Sequence, residues 1–395
     1  MASNLRRVTP VYLALLLWSI ACATSLTGPV MPLYVKSLGI GAVQWGVLAA
    51  AYALGMFLVE WVWGSLSDTR DRRRLLLVST FSMSVMFILF TVHALIPVFI
   101  VLELLAGVMG VAVGPTTRAY VSDESPSGSL GLFASLWWAA FMLGQVIGPI
   151  LGSFVAQAWS FEYSFYASSV LSIIMLLFVL VSLPNADKHE RKKRQTGVIS
   201  GLRQVLGLRS ARALFACAIL VFVGRALVID FLPLYASSVV RMSTLQVGIL
   251  LALMSGTQLV SMPVLGWASD RFGRGRTAFL SYLLSAILFL LYFLAKTPYQ
   301  IFLVSIAVGI GLSGLFLLLA MIPAVASPGT YGRVIGAYGS CEDLGIMIGP
   351  MIYGFVWSAY GPVYIFLACS ITQFLAAFLT FGIGGSNRNE VRACS

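Results

Sequence analysis

Long apolar runs follow one another along the chain, separated by short polar or charged stretches, from about the tenth residue almost to the end. Each run is roughly 20 residues long, the length of helix that crosses a hydrocarbon core of ~30 Å at ~1.5 Å per residue. The ~10-residue alternation of a transmembrane β-barrel is missing from the pattern. The pattern predicts about twelve helical spans, near 10–34, 43–65, 75–95, 97–120, 130–157, 163–183, 211–236, 243–266, 276–296, 299–326, 332–358 and 361–384. The first run follows directly on MASNLRRVTP with no small-residue cleavage site, so it reads as a retained span and not as a signal peptide.

One long polar segment, 185–210, divides the chain near its middle. The two sides repeat each other. MPLYVKSL at 31–38 returns as LPLYASSV at 232–239, VQWG at 43–46 as LQVG at 245–248, and GQVIGP at 144–149 as GIMIGP at 345–350, all at an offset of 201 or 202. The expected fold is therefore an all-α polytopic membrane protein with twelve transmembrane helices in two pseudo-symmetric six-helix bundles. The first bundle is expected over 1–184, a cytoplasmic basic linker over 185–210 and the second bundle over 211–395. Parallel repeats of this kind place a site near the bilayer midplane, where two bundles rock about it.

Composition agrees: 59% of residues are hydrophobic and 10% charged, against about a quarter charged in soluble domains. The net charge of +11 is explained by topology better than by nucleic acid. With the amino terminus in the cytoplasm, 21 of the 25 lysines and arginines fall on the cytoplasmic side, a strong positive-inside bias. Both termini are then cytoplasmic, in a plasma or inner membrane. The five cysteines are scattered without metal or disulfide spacing, and read as small buried hydrophobes.

Two charge knots, WGSLSDTRDRRRLLL at 63–77 and LGWASDRFGRGRTAF at 265–279, occupy matching places in the halves. Gly64 and Gly266 would admit a close helix neighbour. Asp68 and Asp270 follow four residues later and could accept from the amino end of another helix. Arg72 and Arg274 match, and Asp123 is a candidate partner for Arg72. Simple positive-inside flanking would explain the arginines but not Gly and Asp repeated at one register. Both knots resemble motif A of the major facilitator superfamily, and the resemblance covers nearly the whole chain. It implies two six-helix bundles, alternating access and a cytoplasmic latch built on these residues. Asp71 stands where the family has Gly, at a turn position expected to be left-handed, which Asp tolerates.

Span 5 carries Gly144, Gly148, Pro149 and Gly152, and span 11 repeats the pattern with Gly345, Gly349 and Pro350. Small residues at helical spacing favour tight contact, and proline kinks a helix. The string resembles motif C of the antiporters of this superfamily, notably drug/proton exporters, as does GPVMPLY at 28–34.

A charge at mid-bilayer costs at least ~2.5 kcal/mol, so ionisable residues inside spans are functional candidates. They are Glu60, Glu103, Arg225, Asp230, Glu342 and Asp343. Glu60, near the cytoplasmic edge, reads as snorkelling or pairing with the knot. Glu103 occupies the place of the arginine in the family's motif B, so that arginine's role does not carry over. It either binds a proton or a cation, or pairs with a polar neighbour. Glu342 and Asp343 point ~100° apart on one helix and could share a proton. Alternatively, Glu342 pairs with Arg225 in a structural ion pair. By the resemblance, the first and fourth spans of each half line the path, bringing Thr24, Glu103, Arg225 and Asp230 towards it.

Five acids against one arginine within spans favour a cationic or zwitterionic small molecule. The expected function is secondary active transport, most plausibly proton-coupled efflux of amphipathic cationic or neutral compounds. The alternatives are a symporter or uniporter of a nutrient, metabolite or lipid, and a non-transporting membrane scaffold. An enzyme is not expected, since no nucleophile motif, His/Cys cluster or phosphate loop occurs. The reading implies no cofactor and no metal, protons as coupling ion, the lipid bilayer as surroundings and a monomer.

Overall fold

The computed structural model describes residues 23–69, 71–92, 95–114, 116–117, 130–182, 209–325 and 331–384. Asp123, the carboxyl-terminal tail and nearly all of the 185–210 segment lie outside them. The described chain is helical throughout. In order it forms α1 (Val30–Ser37), α2 (Ala42–Thr69), α3 (Arg72–Leu89), α4 (Ile96–Gly110), α5 (Leu130–Ala158) and α6 (Phe161–Ser182). There follow α7 (Arg209–Ala226), a π turn (Leu227–Phe231), α8 (Leu232–Ser238), α9 (Thr244–Phe272), α10 (Arg274–Leu290) and a short 3-10 turn (Leu291–Phe293). The last four are α11 (Pro298–Leu312), α12 (Leu315–Val325), α13 (Tyr331–Tyr360) and α14 (Tyr364–Gly384). Eight of these stretches are long and apolar enough to cross a bilayer on length and composition alone.

Two compact units emerge. The first comprises residues up to Ile40, Ala51–Lys193 and Met242–Ala252; the second comprises Gly41–Ala50, Arg194–Arg241 and residues from Leu253 onward. In the first, the ring of Tyr34 packs edge-on against Phe99 and Phe165. Small hydroxyls, Ser84 with Ser169 among them, join α3 to α6. In the second, α7 packs on α13 and α14, and α10 on α14. Buried Leu214, Ala218, Tyr282, Leu318 and Tyr338 form its core. Cys217 and Cys369 are buried there as expected, and Cys341 is half-buried. Outward faces are apolar, with exposed Val260, Val264, Phe355 and Phe381, as lipid-facing helices require.

Several expected spans are interrupted. In span 4, α4 ends at Gly110. Span 10 breaks between α11 and α12 at Ser313–Gly314. At both places a hydroxyl donates to a backbone carbonyl at one register of the repeat: Ser79 to Met109 O, and Ser281 to Gly311 O at 2.8 Å. At the second break, Gln258 also donates to Leu312 O while Ser313 donates to Gln258 O. Span 7 widens at its π turn, where the Leu232 N–H donates to Leu227 O, five residues back. The cause is Pro233, which cannot donate to Ile229. Its counterpart Pro32 follows a similar interruption of span 1, where α1 starts only at Val30.

The turns of the two knots differ, which corrects one expectation. Gly273, before α10, has φ +94°, a conformation that favours glycine. Asp71, at the same register, is extended with φ −63° and ψ 114°, and its carboxylate accepts from the Arg73 N–H at 3.0 Å. The aspartate caps α3 by its side chain and needs no left-handed backbone. Asp71→Ala is expected to lower stability by about 1 kcal/mol, read as a small fall in the thermal midpoint in detergent, whereas Asp71→Asn keeps the cap.

Candidate functional site

The ionisable residues predicted within spans fall into two places. In the first unit, Glu103 lies on α4 and is buried, 6% exposed. It sits one turn before Gly107, where α4 crosses α2 very closely. A Cβ on Gly107 would run into the Tyr52 carbonyl, and one on Gly55 into the Leu104 carbonyl. The two glycines thus let the backbones touch and fix Glu103 in a rigid crossing. The second unit repeats this contact between Gly309 and the Met254 carbonyl. There, however, the register of Glu103 holds Ser305, which is bonded to the Tyr292 hydroxyl at 2.7 Å. Thr24, also in the first unit, is half-buried, and its carbonyl accepts from the Thr27 hydroxyl at 3.0 Å.

The second place is in the second unit, where α13 lies along α7. Arg225, half-buried on α7, is within electrostatic reach of Glu342 on α13. Glu342 is also within reach of the fully enclosed Tyr338, one turn earlier. Asp343 is 5% exposed, on the neighbouring face. The close approach comes from Gly345 and Gly349: a Cβ on either would press into α7 at Phe222 and Ala226. Tyr353 adds a bond from its hydroxyl to Val223 O at 3.1 Å. Arg225 and Glu342 are thus near enough for their charges to interact, which leaves both alternatives for that carboxylate, the ion pair and the shared proton, open as proposals. Asp230 lies apart, on the π turn, half-buried.

The glycine-proline helices make the close contacts their sequence favours. Gly248 faces the Pro149 carbonyl and Ser153 within the first unit, and Gly46 faces the Pro350 carbonyl within the second. A carbonyl next to a proline kink therefore meets a glycine at matching positions of the repeat. Gly152 lies against the backbone at Leu26, and Gly144 and Gly148 are buried. Sequence reasoning singled out the two glycine-proline strings but missed their partners, Gly248 for Pro149 and Gly46 for Pro350. The signal was available, since both end the repeated VQWG and LQVG strings.

At the knots, Gly64 and Asp68 fall within α2, on side chains outside the described set, and Arg72 is buried at 6%. Gly266 departs from expectation: a Cβ there would meet nothing within 4 Å. It borders an open cleft of about 240 Å³ lined also by Asp270 and Arg274, and no helix closes on it here. Arg274 donates to the Ala320 carbonyl of α12, while Asp270 is exposed. Gly266→Ala is therefore expected to leave the thermal midpoint unchanged; a large fall would show that a helix does pack there.

No group of three or more His, Cys, Asp or Glu suited to a metal occurs among the described residues.

Comparison with known proteins fits this architecture. The Major Facilitator Superfamily model matches residues 13–256 and 214–390. A multidrug resistance protein, MdtG, of Klebsiella pneumoniae (strain 342) is 25% identical over 378 residues, covering 91% of this chain and 90% of that protein. Among solved structures, a bacterial homolog of the human lysosomal transporter Spinster superposes with a TM-score of 0.81 at 14% identity, covering 97% of each chain. The nucleoside transporter NupG superposes with a TM-score of 0.79 at 13% identity, covering 96% of this chain and all of that one. The structural likenesses establish the all-helical fold, and the family match rules out an enzyme reading. This chain belongs to the Major Facilitator Superfamily and is a multi-pass membrane transporter.

Proposed function

We propose that the protein is a proton-coupled exporter of amphipathic cationic or neutral small molecules, working by alternating access. The observation that carries this reading is the placement of acids inside membrane helices: Glu103 and Asp343 buried, Glu342 within electrostatic reach of Arg225. With the arginine matched by Glu342, the remaining carboxylates leave a negative surplus suited to a cation or a proton. The Gly-Pro helices and the kinship to proteins named for multidrug resistance support export. Proton entry from outside would neutralise an interior acid and release substrate, and return of the empty carrier would deliver that proton inward. Thr24, Glu103, Arg225, Asp230, Glu342 and Asp343 are the proposed coupling and substrate residues. Gly64, Asp68, Arg72, Asp123, Gly266, Asp270 and Arg274 form the proposed cytoplasmic gate. We further propose two bundles, 1–184 and 211–395, joined by a cytoplasmic linker, with both termini inside a plasma or inner membrane, and a monomeric transporter.

Glu103 in the place of the family's arginine favours a second reading, a symporter or uniporter of a nutrient, metabolite or lipid. Reconstituted vesicles with an imposed pH gradient separate the two. Cationic amphiphiles are expected to stimulate proton flux, Glu103→Gln and Asp343→Asn to reduce it. Absence of stimulated flux with every cationic compound in a broad panel, together with substrate uptake indifferent to pH, would favour the second reading.

A further inference from the structure

The π turn of span 7 carries Asp230, and one side chain reaches it from α2. The indole N–H of Trp45 donates to the Asp230 carbonyl at 2.9 Å. Trp45 is 4% exposed and belongs to the same unit as the turn. Its neighbour Gly46 is seated against the Pro350 carbonyl, which holds the stretch of α2 backbone that carries the indole. On the other side of the turn, Phe231 is fully buried against the rings of Tyr353 and Trp357. The backbone between them is distorted: Phe231 has φ −108° and ψ −25°, away from the α-helical mean near −63° and −42°. A π turn is intrinsically unfavourable and persists where its surroundings hold it.

We propose that Trp45 is a positioning residue for Asp230. By accepting from the indole, the Asp230 carbonyl is fixed, and with it the Cα–Cβ direction of the same residue. The carboxylate is thereby presented half-buried at one angle, where a regular α-helix would rotate it elsewhere. The repeat-related place, which pairs the other two elements of the halves, lacks the arrangement. The register of Trp45 in the repeat holds the buried Val247, and that of Asp230 holds Pro29. The indole and the carboxylate therefore occur together and are missing together, as expected if the first serves the second. This inference rests on the reading of Asp230 as a coupling or substrate group.

The test uses the full-length protein in proteoliposomes with Trp45→Phe, Asp230→Asn and the double variant. Trp45→Phe keeps an aromatic ring and removes the donor. Amide hydrogen exchange at Leu227–Leu232 is expected to quicken about tenfold in Trp45→Phe, the size of one lost bond of about 1.4 kcal/mol. The turnover of substrate-driven proton exchange is expected to fall about tenfold with KM unchanged within twofold, and to fall no further when Trp45→Phe is added to Asp230→Asn. Exchange in Trp45→Phe as slow as in the parent overturns the inference, whatever the fluxes do. Equal, additive losses of turnover in both backgrounds also overturn it, because the indole would then act on packing alone. An Asp230→Asn protein as active as the parent removes Asp230 from the functional reading and with it the catalytic consequence of the clamp, while faster exchange in Trp45→Phe would show the clamp itself to stand.

Discussion

Arg225→Met is expected to cost about 1–3 kcal/mol of stability and to abolish transport. The guanidinium lies on α7 within electrostatic reach of Glu342 on α13, where the helices are drawn together by Gly345 and Gly349. Both side chains are half-buried, so removing one leaves the other charge partly desolvated with an opposite charge gone. Removing both is different: an apolar pair of similar volume is often neutral for folding. The double variant Arg225→Met/Glu342→Met is therefore expected to recover the thermal midpoint of the parent and to remain inactive in flux assays. A single Arg225→Met protein with parental stability would show that the pair is hydrated and contributes little. A double variant with full transport would remove both residues from the coupling machinery.

The second large effect concerns the crossing of α2 and α4. Gly107→Val is expected to destabilise the first unit by about 3 kcal/mol, at the upper end of the usual range for overpacking. The Tyr52 carbonyl occupies the space that a Cβ needs, and Gly55 meets the Leu104 carbonyl reciprocally. The neighbour is backbone on both sides, so relief requires moving a helix and not a rotamer. Glu103 stands one turn from this contact, so the same shift is expected to misplace its carboxylate and to lower transport in any protein that still folds. Thermal unfolding in detergent, followed by flux in vesicles for the folded fraction, measures both. Retention of the parental midpoint in Gly107→Val would show that the helices cross less tightly.

Much of this was legible from the residues. The spacing of apolar runs gave the helices, the repeated strings gave their correspondence, and motif-like clusters pointed to the family. Glu103, Arg225, Glu342 and Asp343 were identifiable because charge is expensive in a bilayer. What periodicity could not show was where helices depart from regularity. Pro233 announces a disturbance, but whether it yields a kink, a break or a π turn depends on what donates to the carbonyls around it. The Trp45 indole, 185 residues away in sequence, supplies one such answer. Asp71 illustrates the opposite difficulty. Its identity fits either a left-handed turn or an N-cap, and only the backbone angles choose. Gly266 was read as a contact because glycine permits one, but permission is not occupancy: the space beside it is open.

The two halves keep their backbone contacts at equivalent registers, as with Ser79 and Ser281, or Pro149 and Pro350. Their ionisable residues are not shared: the registers of Glu342, Asp343 and Arg225 hold Phe141, Met142 and Thr24. Duplication has preserved a mechanical frame and let the chemistry diverge. The two-fold that relates parallel repeats runs along the membrane normal, so it never exchanges the two sides of the bilayer. States open to opposite sides therefore offer a cargo different surroundings, and forward and reverse saturation curves should have unequal half-saturation points even with no gradient imposed.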